Sequence, residues 1–186
     1  PLLHKINGLK ICGQDVIVAT ENGLYRTQLD EPDVAPTQLA ADVDAVNIVC
    51  NENHLLWTNR SDPQVACRAG DDEPMTCRGQ VTYFGDNGVQ RITGESEYGG
   101  LMLNGDSLYL HRTGSIVEDA TIDRINLTGN TVGIESPLIM SASDPAISVS
   151  ANALFIRSWS SGSGAKIEKK QLDDLDVTTI NLGPSG

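Results

Sequence analysis

Apolar strands, polar turns, and then an apolar residue shortly before an arginine or lysine recur along the whole chain. Asp15-Val16-Ile17-Val18 leads to Leu24-Tyr25-Arg26, and Leu55-Leu56-Trp57-Thr58-Asn59 leads to Val65-Ala66-Cys67-Arg68. Gln80-Val81-Thr82-Tyr83 leads to Val89-Gln90-Arg91, Ser107-Leu108-Tyr109-Leu110 to Ile122-Asp123-Arg124, and Ala153-Leu154-Phe155-Ile156 to Ile167-Glu168-Lys169. Short apolar runs bounded by turn residues are strands, and their tandem recurrence marks a repeat architecture. The pattern predicts five units, at residues 8–45, 46–72, 73–99, 100–144 and 145–183.

Each unit reads as three strands, the first being an inner one. In the first unit these are Gly8–Gly13, Asp15–Thr20 and Gly23–Leu29; in the second, Val46–Asn51, His54–Asn59 and Gln64–Ala69. The third takes Pro74–Arg78, Gln80–Phe84 and Gly88–Thr93, and the fourth Gly100–Asn104, Ser107–Arg112 and Thr121–Leu127. The fifth takes Ala146–Ser150, Ala153–Trp159 and Lys166–Leu172. Outer fourth strands are expected near Thr37–Ala40, Val132–Ile139 and Val177–Leu182, leaving the second and third units trimmed. The pairs Asn7-Gly8, Asn22-Gly23, Asn87-Gly88 and Asn104-Gly105 supply residues that tolerate the positive φ of tight turns. The best helical candidate, Leu29 to Val43, is interrupted by Pro32 and Pro36. The expected fold class is all-β.

Leu55-Leu56-Trp57-Thr58-Asn59 followed by Val65-Ala66-Cys67-Arg68 resembles the repeats of YWTD-type β-propellers. It resembles more closely the Tyr-Trp-Thr-Asn repeats of secreted and surface proteins from myxobacteria and related bacteria. Leu56 stands where that family has tyrosine, and the other units lack the tryptophan. The resemblance implies a small β-propeller of about five three- to four-stranded blades. YWTD-type rings close with six, so this one either closes with five, belongs to a larger ring, or is completed by another chain. The end near Leu182 reads as a domain end, and Leu2–Lys5 could supply a strand that closes the ring. The start at Pro1, without an initiator methionine, reads as a processed chain or a piece of something larger.

The chain has 186 residues, enough for one well-buried domain, and a net charge of −12 from 13 basic and 25 acidic residues. That balance argues against nucleic acid as a partner, and no apolar run is long enough to span a membrane as a helix. Four cysteines allow three pairings. Cys67–Cys77 would brace the trimmed second unit, and Cys12–Cys50 would join neighbouring inner strands; four buried thiols are the alternative. With the sequons Asn59-Arg60-Ser61 and Asn126-Leu127-Thr128, disulfides point to an extracellular, cell-surface or periplasmic home.

No nucleophile motif, phosphate loop, zinc motif or dinucleotide fingerprint occurs, so no catalytic residue is assigned and the expectation is a non-enzyme. Gly162-Ser163-Gly164 reads as a hairpin turn. No cofactor is assigned. Calcium could use the acidic clusters Asp71-Asp72-Glu73, Asp42/Asp44 or Asp173-Asp174/Asp176, but none has a calcium-loop pattern and solvated turns are the simpler reading. The recurrent Arg26, Arg68, Arg91, Arg124 and Lys169 are expected to pair with acidic residues or carbonyls of neighbouring blades. Trp57, Tyr83, Tyr109 and Phe155 share second-strand positions and are expected mostly in the core, while Trp159 beside a Ser/Gly turn is the aromatic expected at the surface. Trp57 and Trp159 are the candidate binding residues. The functional expectation is a protein-interaction or scaffold module within a surface assembly, with an oligomer among the forms open to it. A lectin-like propeller is the alternative, and it would require the same aromatic and amide residues in each loop, which the units do not show.

Overall fold

The computed structural model describes residues 5–31, 33–41, 43–61, 77–85, 88–113, 120–128, 133–134, 139–141, 146–150, 152–160, 164–171 and 177–181. Every regular element among them is a strand, and no helix among the described residues is long and apolar enough to cross a membrane. The chain divides into two compact units, Pro1–Arg68 with Met75–Leu101, and Ala69–Pro74 with Met102–Gly186.

The first unit opens with an antiparallel meander of β1 (Ile6–Cys12), β2 (Asp15–Thr20), β3 (Gly23–Gln28) and β4 (Thr37–Ala41). Its turns use Gly13 and Gly23, both at positive φ (63° and 137°), where a side chain would be strained. Asn7-Gly8, expected as a turn, lies inside β1 instead, at a register shift between Ile6 and Gly8. Gly8 lies against Ile48 of the next sheet, at ordinary van der Waals range for a Cβ placed there.

A second meander follows: β5 (Ala45–Cys50), β6 (Leu55–Arg60), β7 (Cys77–Gly85) and β8 (Gly88–Arg91). Here the strands differ from those expected for the second and third units. Pro74–Arg78 and Gln80–Phe84 were expected as two strands of a separate blade. In the structure Cys77–Gly85 is one strand, hydrogen-bonded to β6 from Leu55↔Phe84 to Arg60↔Gly79. Gly79 does not turn the chain. It sits buried in the strand, where a Cβ would run into the carbonyl oxygen of Asn59, so only glycine lets β6 and β7 run this close. The expected third strand Gln64–Ala69 lies outside the described residues. The start of β7 pairs with the start of β9 (Ser96–Asn104), and through β9 the chain passes into the second unit.

The two sheets of the first unit pack face to face. Ile17, Ala19, Leu24 and Ala40 form one buried cluster with Ala45, Leu55 and Trp57. Period-two alternation puts Ile17 and Ala19 on the inner face of β2 and leaves Val16 and Val18 on the other. Burying each large aliphatic side chain of this kind contributes about 2 kcal/mol.

Beside that core sits a polar pin the sequence did not announce. The Asp44 carboxylate accepts from Arg60 Nε at 2.6 Å and from Asn7 Nδ2 at 3.0 Å. Its backbone N–H donates to Asn59 Oδ1 at 2.9 Å, and its carbonyl accepts from Arg60 N–H at 3.0 Å. The sequon residue Asn59 is thus half-buried and engaged, and Asp44, read as a calcium candidate, is already paired; Asp42, 71–73 and 173–176 lie outside the described residues. Asp44 and Arg60 side chains are each only 15% exposed. Arg60→Ala should therefore lower the unfolding free energy by about 2 kcal/mol, because a poorly solvated carboxylate loses its charged donor. Urea unfolding measures this, and a double-mutant cycle with Asp44→Ala should show coupling rather than additivity.

The second unit contains β10 (Ser107–Arg112) and β11 (Ala120–Asn126), with two short strands, β12 (Gly133–Ile134) and β13 (Ile139–Ser141), both on the outer edge of β11. The expected single outer strand Val132–Ile139 is therefore split. A further meander runs β14 (Ala146–Val149), β15 (Ala153–Ser160), β16 (Gly164–Gln171) and β17 (Val177–Asn181). Tyr109 and Ile122 pack against Leu154 and Ile156, with Met102 at the margin. Asn104 Nδ2 donates to Ser150 O at 2.9 Å across the same two sheets. The recurrent cations bond within their own sheets where their contacts are described: Arg26 meets Asp15 at 3.8 Å, and Arg124 reaches Ser107 Oγ at 3.2 Å. Arg68 lies outside the described residues.

Candidate functional site

A disulfide joins Cys12, at the end of β1, to Cys50, at the end of β5, with Cα atoms 5.7 Å apart. It fastens the edge strands of two sheets that share no backbone ladder. Cys67 and the side chain of Cys77, the other pair offered by the sequence, lie outside the described residues.

Beside the disulfide opens a cleft of about 440 Å³ within the first unit. Ile17, Leu39, Leu55 and Phe84 give it apolar lining, and Asp15, Arg26, Glu52, Asn53 and His54 give it polar lining. Clefts of this size with a few placed polar groups on apolar walls suit ligand or peptide side-chain capture.

Local sequence fixes the polar wall. Asn51 Oδ1 accepts from the N–H groups of Asn53 and His54, both at 2.9 Å, while Asn51 N–H donates to His54 O at 3.0 Å. An asparagine closing its own turn in this way holds the β5–β6 hairpin rigid. Glu52 and Asn53 are left exposed at its tip. His54 itself is 8% exposed; its ring nitrogen Nδ1 lies 3.4 Å from the hydroxyl of Tyr83, with the rings tilted at 50°. The cleft thus offers hydrogen-bond donors, acceptors and both charge signs on a stiff frame. Its two sulfurs are tied up in the disulfide, which removes them as nucleophiles.

Of the candidate residues, the structure brings Cys12 and Cys50 to this cleft and takes Trp57 elsewhere. Trp57 is fully buried in the inter-sheet core, so it belongs to the packing rather than to any surface. Trp159 stands opposite Ala165 in the β15–β16 ladder, and its side chain lies outside the described residues. Among the other aromatics, Tyr109 is buried, while Tyr83 and Phe155 are half-buried. Sequence reading passed over Asn51-Glu52-Asn53-His54, although a four-residue polar turn directly after a candidate disulfide cysteine was the available signal.

No protein-family model matches the chain, and no curated protein matches it in sequence. Its fold is similar to those of solved β-propeller-like proteins. One is PorZ of Porphyromonas gingivalis, described as an essential bacterial surface component of the type-IX secretion system, with TM-score 0.55 and 14% identity over 96% of this chain. A second belongs to a Saccharomyces cerevisiae assembly of Dbp5 bound to Nup159, Gle1, IP6 and ADP, with TM-score 0.57 and 10% identity over 94% of this chain. The N-terminal domain of Nup159 gives TM-score 0.56 and 10% identity over 94%. The chain spans 21%, 46% and 47% of those structures' own lengths.

Proposed function

We propose that this chain is a non-enzymatic, β-propeller-type interaction module that works outside the cytoplasm and binds a protein partner. The observation that carries the reading is the disulfide-latched cleft, where a rigid turn presents Glu52 and Asn53 beside apolar walls. Propellers place recognition on the loops that a stiff scaffold holds, and this turn is such a loop. A disulfide between sheet edges suits an oxidising compartment. The likeness to PorZ, a bacterial surface component, and to a protein from the assembly of Dbp5 with Nup159 and Gle1 supports the same reading, through the fold alone. Among the described strands, backbone pairing gives three sheets, β1–β4, β5–β13 and β14–β17, which we read as propeller blades, the long middle sheet joining two of them through β7 and β9.

A photo-crosslinking residue at Asn53, in the chain produced by its own host, tests this. It should trap a discrete protein adduct outside the cytoplasm, and the same probe at exposed Val89 should not. Binding to a glycan array with no protein adduct at position 53 would overturn the proposal in favour of a lectin. Alkylation of intact cells should find Cys12 and Cys50 protected until reductant is added.

A further inference from the structure

We infer that Asn126, and not Asn59, is a glycan acceptor, whose side-chain amide takes an oligosaccharide from a polyprenyl-diphosphate donor. The inference rests on the reading of a chain that works outside the cytoplasm, and goes beyond it by naming the modified residue. Both asparagines stand in the Asn-x-Ser/Thr pattern that accepts such a glycan, so by pattern they are equal. Their surroundings separate them. Asn126 is the last residue of β11 and is exposed. Its Oδ1 accepts from the Thr128 N–H at 2.9 Å and from Thr128 Oγ1 at 2.6 Å. This Asx turn engages the carbonyl of the amide and leaves Nδ2 as its other arm. Between them, Leu127 is buried, and its N–H donates to Asp106 O at 2.8 Å. The triplet is thus anchored by its middle residue while the outer two face solvent. Register places Ser107 of β10 and Gly133 of β12 opposite Asn126, one side chain small and the other absent. A sugar joined there meets no bulky cross-strand neighbour.

In the transfer, Nδ2 attacks the first carbon of the sugar and a C–N bond forms. The bond from that carbon to the diphosphate oxygen breaks, and the polyprenyl diphosphate leaves. The proton lost from Nδ2 goes to a carboxylate of the transferase. Hydrogen bonds to Oδ1 stabilise the charge that builds on the amide as that proton departs. Asn59 is placed otherwise. It is half-buried in β6, and its Oδ1 accepts from the Asp44 N–H at 2.9 Å. The middle residue of its triplet, Arg60, is held by the Asp44 carboxylate. Ser61 donates its N–H to Arg78 O at 3.1 Å, where Thr128 donates to the asparagine of its own triplet. A glycan on Asn59 would have to draw that side chain away from Asp44 and undo the polar pin of the first unit. One on Asn126 disturbs no contact between strands.

Mass spectrometry of intact glycopeptides, on the chain produced by its own host and recovered after fractionation, tests this. The peptide that holds Asn126 should be heavier by whole sugar residues, and the peptide that holds Asn59 should have its unmodified mass. Asn126→Gln and Thr128→Ala should each abolish the added mass. Thr128→Ser should keep it, because the hydroxyl and the N–H that face Oδ1 remain. Asn126→Gln should unfold in urea at the wild-type midpoint, since the side chain is exposed, and Thr128→Ala serves if that variant folds poorly. A chain found outside the cytoplasm with Asn126 unmodified would overturn this inference and leave the extracytoplasmic reading standing. A chain confined to the cytoplasm would overturn both. A glycan on Asn59, or added mass that survives Asn126→Gln, would overturn the assignment to Asn126.

Discussion

Replacing Cys12 and Cys50 together by alanine should lower the unfolding free energy by about 4 kcal/mol, the largest loss we expect from a change that leaves the apolar core intact. The crosslink closes a loop of 38 residues, and on the chain-entropy account a loop of that length removes much of the unfolded ensemble's freedom. Small domains are stable by only about 5–15 kcal/mol in total, so the loss would consume a large part of that margin. The double variant is a cleaner probe than reductant, which would also act on any bond made by Cys67 and Cys77. Urea unfolding gives the magnitude, and hydrogen exchange locates it: β1 should lose protection first, since the disulfide is its covalent tie to β5. A double variant within about 1 kcal/mol of the wild type would show that the crosslink contributes little to the folded chain.

Trp57 is the second site of large effect. Trp57→Ala should cost about 3–5 kcal/mol, because the indole is fully buried between two sheets and its loss opens a cavity that the flanking Ile17, Leu24 and Leu55 cannot fill. Trp57→Phe should cost far less, about 1 kcal/mol. The indole Nε1–H has no hydrogen-bond partner among the described residues, so its removal relieves an unsatisfied buried donor and offsets part of the lost ring volume. The comparison is made by denaturant unfolding, with Trp159 as the remaining fluorophore. Equal losses for the two variants would show that the N–H has a partner in the folded protein.

Local features of the chain were legible in its sequence. Asp15–Thr20 and Ser107–Arg112 are strands with the bounds expected from their apolar runs, and Gly23, Gly88 and Gly105 take the positive φ that their asparagine-glycine contexts suggested. The Cys12–Cys50 pairing, one of the alternatives the four cysteines left open, is present. Where the reading failed, a local signal met a long-range one. Gly79 looked like a turn because glycine permits one, yet it is the residue that lets β7 run straight past Asn59. Asn7-Gly8 looked like a hairpin, yet Asn7 is held in β1 as a donor to Asp44. Asn59-Arg60-Ser61 looked like a modification signal, yet Asn59 and Arg60 together hold Asp44.

The sequence by itself determined that the regular elements among the described residues are strands, where most of those strands lie, and which residues of a strand share a face. These properties depend on turn chemistry and on a period of two, both of which act over a few neighbouring residues. Only the tertiary structure decided that Cys77–Gly85 belongs beside β6, that Trp57 lies inside while Leu9 and Ile11 lie outside, and that Asn51–His54 borders a cleft. Alternation says that a strand has an apolar face, but not which sheet covers it or which strand it pairs with. Those choices rest on contacts between residues far apart in the chain, such as Asn7 with Asp44 or Cys12 with Cys50, and become fixed only when the sheets pack.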